Sequence, residues 1–335
     1  GSLQQLAIVL GIFAALLSDA WIAGVAGGAA KPAWLGLEAW RWMFLVATVP
    51  ALIYGTLVLG VPESPRHLVA KGRIDEARGV LRQMLALGDG PALEMKLQDI
   101  RRSLASEVRP RLRDLRGPRF GLLPVVWVGI ALSVFQQAVG INVIFYYSST
   151  LWHSVGFSES DAFTITVVTS IVNVLVTLLA IALVDRIGRK PLLVVGSIGM
   201  TVTLGLMALC FAQAAGSGAS MSLPQPWNMV ALVSANAYVV FFGLSWGPMV
   251  WVLLGEMFPN RIRAIALAVA ASAQWIATFI ITSCFPSLAE IGLSFAYGLY
   301  ALFALGSLVF VLTSVRETKG TELEVMRDCG RRGRR

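Results

Sequence analysis

Phe135-Gln136-Gln137-Ala138-Val139-Gly140-Ile141-Asn142-Val143-Ile144-Phe145-Tyr146-Tyr147 sets amides and phenols inside a run otherwise apolar enough to enter lipid. An unpartnered amide facing hydrocarbon costs several kcal/mol, roughly 2 to 7 depending on the reference state, so these groups are expected to face a protein or water-filled interior. On a regular helix, Gln137, Asn142 and Tyr146 lie about 100°, 240° and 280° round from Gln136, and no single face collects them. A break near Gly140 would turn the two halves separately and bring the groups to one cavity, as interrupted spans do around transporter sites. The alternative is that the amides bond neighbouring helices as structural glue.

Composition puts the rest of the chain in the same solvent. Of 335 residues 56% are hydrophobic and only 14% charged, and mean hydropathy is +0.73, far too apolar for a water-soluble domain. Eight apolar segments near 3–24, 42–61, 121–147, 161–184, 192–215, 228–254, 264–288 and 292–315 each supply the ~20 helical residues that cross a ~30 Å core. An all-α polytopic membrane protein follows. The organisation is two spans over 1–61, a linker over 62–119, six spans over 120–315 and a basic tail over 316–335.

Basic residues fix the expected orientation, because short cytoplasmic loops retain Lys and Arg. Thirteen lie in 62–119, three in 185–191, two in 259–263 and seven from Arg316 onward, leaving only Lys31 and Arg41 on the other side. The linker and tail are therefore expected in the cytoplasm of a multi-pass inner (plasma) membrane protein, with membrane lipid as a partner. The net charge of +8 reads as a topological signal rather than a nucleic-acid footprint. Cys210, Cys284 and Cys329 are too far apart for a disulfide framework or zinc site. His67 and His153 stand isolated with no nucleophile motif, so neither catalytic residues, nor a metal, nor a cofactor is expected.

Within the linker, Ser64 is placed to cap a helix beginning at Pro65, and Gly72 to close it. Ile74, Ala77, Leu81, Met84 and Leu85 then recur at helical spacing among charges, an amphipathic helix expected against the cytoplasmic ends of the spans. In the sixth span Gly243, Gly247 and Pro248 remove side chains and a backbone donor, which predicts a kink or unwinding. Trp251 lies beside it, and an indole face suits the C–H face of a sugar ring. Core packing or an interfacial belt is the plainer role. Asn173 and Gln274 add buried amides in the fourth and seventh spans, and neutral amides favour an uncharged polyol over an ion.

The motifs Gln136-Gln137-x-x-Gly140-Ile141-Asn142, Pro62-Glu63-Ser64-Pro65-Arg66, Asp185-Arg186-x-Gly188-Arg189-Lys190, Gly247-Pro248-x-x-Trp251 and Glu256-x-Phe258-Pro259-x-Arg261-x-Arg263 together resemble the sugar porters of the major facilitator superfamily. The stretch from Trp251 to Trp275 is especially similar to bacterial xylose/proton symporters. The tail reads Arg316-Glu317-Thr318-Lys319-Gly320 where the family usually has Pro-Glu-Thr-Lys-Gly, which puts the helix-stopping part of that motif in doubt. The resemblance implies a major facilitator fold with eight of its twelve spans present, the first four lying upstream of a start that lacks an initiator Met.

By the same resemblance Gln5, Gln136, Gln137, Asn142, Asn173, Trp251 and Gln274 are sugar contacts and Tyr146 belongs to the outer gate. Glu63, Arg66, Asp185, Arg186, Arg189, Glu256 and Arg263 form an inner charge network that holds the halves together in one state. The implied function is alternating-access transport of a hexose or pentose, with protons as possible co-substrate. Asp19, near the outer end of its span, is not a convincing stand-in for a proton-coupling carboxylate. The incomplete carrier is expected to bind sugar weakly or not at all. A carrier for polyols or other neutral solutes, and a non-transporting membrane fragment, are the alternatives.

Overall fold

The computed structural model describes residues 2–85, 90–105, 111–117, 121–154, 156–215, 222–259 and 261–319. Its helices are α1 Ser2–Ala26, α2 Ala39–Val46, α3 Thr48–Leu59, α4 Pro65–Ala70, α5 Ile74–Leu85, α6 Pro91–Ala105, α7 Pro124–Ala138, α8 Ile141–Tyr146, α9 Ser148–Ser154, α10 Glu159–Ile187, α11 Arg189–Ala212, α12 Trp227–Leu244, α13 Trp246–Met257, α14 Arg263–Ile291 and α15 Leu293–Ser314. Eight helices or broken helices among these residues are long and apolar enough to span a membrane, with bounds close to the eight expected. The basic tail beyond Lys319, and Cys329 with it, lies outside the described residues.

The chain forms two compact units. Phe44–Pro110 is the smaller. In it α4 begins at Pro65 and ends before Gly72 at φ +77, as its punctuation predicts, although the Ser64 side chain makes no capping hydrogen bond. The apolar residues of α5, Ala77 and Leu81, are buried with Leu68 and Val69 of α4 and Leu93 and Leu97 of α6. Ile74 packs partly buried on this cluster, while Met84 and Leu85 of the same expected face are 66% and 47% exposed. The third helix, α6, was not foreseen. Arg78 ties α5 to it through Glu94 at 2.8 Å.

The larger unit comprises Gly1–Met43 and Arg111–Arg335. Here α1 packs on α10 and α13, α7 on α14, and α11 on both α12 and α15. Close approach of α11 to α12 depends on Gly196 and Gly199, where an added Cβ would collide with Ser245 and Phe241. Small residues let transmembrane backbones meet in this way without a hydrophobic driving force.

Backbone groups released by breaks in the helices find partners, as a membrane interior demands. Pro286 inside α14 has no N–H for the Thr282 carbonyl four residues back, and the Tyr147 hydroxyl donates to that oxygen at 3.1 Å. Between α7 and α8 Gly140 adopts φ 83, ψ 21, and the Tyr238 hydroxyl donates to the Val139 carbonyl at 2.8 Å. Between α12 and α13 Ser245 sits at φ −127, ψ −88. Its hydroxyl donates to the Phe241 carbonyl at 2.6 Å, replacing the amide that the break turned away.

Candidate functional site

Two of these breaks face each other. The Gln136 amide donates to the Trp246 and Gly247 carbonyls at 2.9 and 3.1 Å, joining the last turn of α7 to the first turn of α13. Asn142, on the far side of Gly140, donates to Gln137 Oε1 at 2.7 Å, and the Gln137 amide lies 3.4 Å from Gln136 Oε1. The left-handed glycine therefore does what the helical wheel required. It folds α8 so that Asn142, roughly 240° from Gln136 on a straight helix, closes onto Gln137. Gln136 and Gln137 are buried, and Asn142 partly so.

Other expected site residues converge on the same junction. Gln5 of α1 is 8% exposed, and its amide nitrogen lies 3.3 Å from where a Cβ on Gly247 would stand. Asn173 of α10 approaches Gly243 in the same way, its Oδ1 3.2 Å from a Cβ built there. Asn173 Oδ1 and Gln274 Oε1 are both buried without a hydrogen-bond partner among the described residues. Such orphaned acceptors each carry an uncompensated desolvation cost of about 1–3 kcal/mol, which hydrogen-bond donors on a bound solute would relieve. Trp251 is half-buried on α13, one turn beyond Gly247. Tyr146 stands apart, 59% exposed at the end of α8, while its neighbour Tyr147 reaches Thr282 and packs on Phe285 at 4.9 Å.

Three residues that the sequence did not single out hold this junction. Trp246 is fully buried, and its indole N–H donates to Ser197 Oγ at 2.9 Å, which in turn pairs with Ser307 Oγ at 2.9 Å. Tyr300 of α15 lies over Gly140, its ring 2.7 Å from where a Cβ would be, and Tyr297 meets it edge-on with centroids 6.1 Å apart. The only sequence signal for the pair is the helical Tyr297-x-x-Tyr300 spacing, which ordinary packing also produces.

A second cluster sits where α10 turns into α11 at Gly188. Arg189 holds Asp185 at 3.0 Å and Glu256 at 2.9 Å. Glu256 also accepts from the Thr318 hydroxyl at 2.6 Å. Glu317 accepts the first backbone amides of α11, Arg189 at 3.1 Å and Lys190 at 2.9 Å, as a carboxylate does at a helix N-terminus. Burial pushes the Glu317 carboxyl up, but the backbone N–H groups of Lys319, Arg189, Lys190 and Thr318 outweigh it and hold the group below the usual carboxylate range. Lys319 donates to the Arg186 carbonyl. Glu317 and Thr318 belong to the tail motif that departs from its pattern, and the departure at Arg316 leaves their contacts intact.

Of the other expected network residues, Arg186 and Arg263 belong to the same unit as this cluster. The Arg186 side chain is exposed. Arg263 donates through Nε to the Phe258 carbonyl at 3.2 Å, and its Nη2 is buried without a partner among the described residues. Glu63 and Arg66 are exposed residues of the smaller unit.

Residues 1–328 match the family model described as sugar (and other) transporter. The chain belongs to that transporter family. It is 54% identical over 97% of its length to a glucose transport protein of Synechocystis, and 37% identical over 96% to a D-xylose-proton symporter of Escherichia coli. It is also 30% identical to a glucose facilitated diffusion protein of Zymomonas mobilis. The structure of the proton:xylose symporter XylE bound to 6-bromo-6-deoxy-D-glucose matches with a TM-score of 0.73 and 36% identity, covering 98% of this chain and 66% of that one. A partially occluded inward-open XylE from E. coli matches with a TM-score of 0.76 and 35% identity, over 96% and 64%. The helices thus adopt the major facilitator fold. The chain spans about two thirds of the length of these relatives, 69% of the Synechocystis transporter and 63% of the E. coli symporter.

Proposed function

We propose that this chain carries the greater part of a monosaccharide carrier that works by alternating access, coupled to protons. Its sugar site would be Gln5, Gln136, Gln137, Asn142, Asn173, Trp251 and Gln274, with Tyr146 acting at the outer gate. The observation that carries the reading is the amide chain from Asn142 through Gln137 and Gln136 to the Trp246 and Gly247 carbonyls, which links two interrupted helices. Neutral amide donors and acceptors suit a polyhydroxy solute, and none of the residues assigned to the site carries a formal charge. Relatives named for glucose and for xylose support a hexose or pentose.

In this reading 1–61 supply the last two helices of one half, 62–119 the cytoplasmic linker, 120–315 the other half and 316–335 a cytoplasmic tail, all in the inner membrane. The pairs around Arg189 form in one state and break in the other, so that modest ion pairs bias the equilibrium together. Uptake of labelled D-glucose and D-xylose by cells without sugar carriers of their own, expressing the reading frame that contains this chain, tests the proposal. Gln137→Ala and Trp251→Ala should each abolish most saturable uptake at unchanged expression, and a protonophore should collapse accumulation. Unaltered uptake in both variants would refute the site, and accumulation that survives the protonophore would refute proton coupling.

A further inference from the structure

The connection between α1 and α2 is built, not loose. From Gly27 to Glu38 it folds back as a hairpin, with Ala33 N–H donating to the Leu37 carbonyl at 2.7 Å, Ala39 N–H to Lys31 at 2.9 Å and Trp40 N–H to Ala29 at 3.0 Å. Its base is pinned to the first turn of α10, where Glu159 Oε1 accepts from Ala29 N–H at 2.8 Å. At the tip Leu35 takes φ 55, ψ 23. That left-handed backbone is disfavoured for a branched L-residue, yet the side chain there is 88% exposed. A strained backbone presenting an apolar side chain outward is a poor arrangement for water.

The tryptophans around it are arranged to the same end. Trp34 stacks on Trp21 at 5.9 Å and meets Trp42 edge-on at 5.7 Å. The indole N–H of Trp42 is taken by the Trp34 carbonyl at 3.0 Å, and that of Trp40 by Glu38 at 2.9 Å. Their polar edges are satisfied within the loop, while Trp21 and Trp34 remain 62% and 41% exposed. Lys31 is exposed on the same hairpin, and Arg41 lies 5.0 Å over the Trp40 ring. The only two basic residues expected on this side of the membrane are thus beside the exposed indoles.

We propose that this hairpin is a lipid-binding element seated at the headgroup–acyl boundary, with Leu35 and the faces of Trp21 and Trp34 on acyl carbon and Lys31 on phosphate, the Arg41 guanidinium being paired with Glu38 at 3.1 Å. The occupant is phospholipid because the hairpin joins the ends of two spans and so lies at the bilayer surface. Amphipathic rings and flanking cations are the chemistry that surface selects. The proposal rests on the membrane-spanning fold and stands independently of the sugar site.

A nitroxide at Leu35→Cys, in a Cys284→Ser and Cys329→Ser background, tests it in phosphatidylcholine/phosphatidylglycerol nanodiscs. Collision rates with oxygen and with a water-soluble nickel chelate are compared against Leu175→Cys, exposed midway along α10, and Lys71→Cys in the charged linker. The ratio of oxygen to nickel collisions at position 35 should lie closer to that at 175. A ratio like that at 71 would place the tip in water, and shielding from both reagents would place it under protein. Either result would overturn the proposal.

Discussion

Replacing Gly140 with Ala probes the hinge and the site together. The position has φ +83, and a Cβ there would lie 2.7, 2.9 and 3.0 Å from Cδ2, Cε2 and Cγ of Tyr300. Left-handed backbone costs an L-residue roughly 1–2 kcal/mol, and overpacking against a ring held on all sides adds about 1–3 kcal/mol. Reduced freedom of the unfolded chain returns about 0.4–1 kcal/mol. A net loss of roughly 1–4.5 kcal/mol corresponds to a fall in Tm of about 2–18 °C at about 2–4 °C per kcal/mol. The readout is reaction of buried Cys210 with a thiol dye during heating in detergent, in the Cys284→Ser and Cys329→Ser background. Gly205→Ala, with no heavy atom within 4 Å of the added Cβ, is the matched control and should melt at or slightly above the parent. If Gly140→Ala melts as high as Gly205→Ala, the account of the break is wrong.

Other outcomes follow from single contacts. Tyr238→Phe leaves the buried Val139 carbonyl without its donor, and the same assay should show a loss of about 1–3 kcal/mol. Ser197→Ala strips the Trp246 indole N–H of its partner; a red-to-blue comparison of tryptophan emission should change for this variant and stay as in the parent for Gly205→Ala. Glu317 binds its proton less readily in the folded chain than at the usual 4.5, so its contribution is present above that value and disappears as pH falls through the lower folded one. Glu317→Gln should therefore melt below the parent at pH 7, with the gap closing in acid. A gap that stays constant between pH 7 and pH 3 would show that the carboxylate charge does not act.

Much of this architecture was written in local chemistry. Apolar length and the clustering of Lys and Arg delimited the spans, and the need for a break near Gly140 followed from the angles among Gln136, Gln137 and Asn142. Pro65 and Gly72 bounded a helix through intrinsic backbone preferences. What stayed hidden depends on partners distant in sequence. Trp246 looks like any aromatic beside Gly-Pro until Ser197 and Ser307 meet it, and Tyr147 became a structural donor only because Pro286 frees a carbonyl 135 residues from it. The break in the sixth span fell at Ser245 rather than on the flanking Gly243, Gly247 or Pro248, since the Ser hydroxyl can replace the lost amide at Phe241. Arg263 carries the family motif, but its Nε donates to the Phe258 backbone carbonyl.

The carboxylate that caps α11 has a consequence in time. Glu317 lies 128 residues beyond the Arg189 amide it accepts, so at about 5–20 residues per second the start of α11 waits roughly 6–25 seconds for its cap during synthesis. Until then the Arg189 and Lys190 amides lack the carboxylate and stand open to headgroup phosphates, while the Arg189 guanidinium already has Asp185 four residues before it. A chain ended at Ser314 would keep every span and never complete that helix.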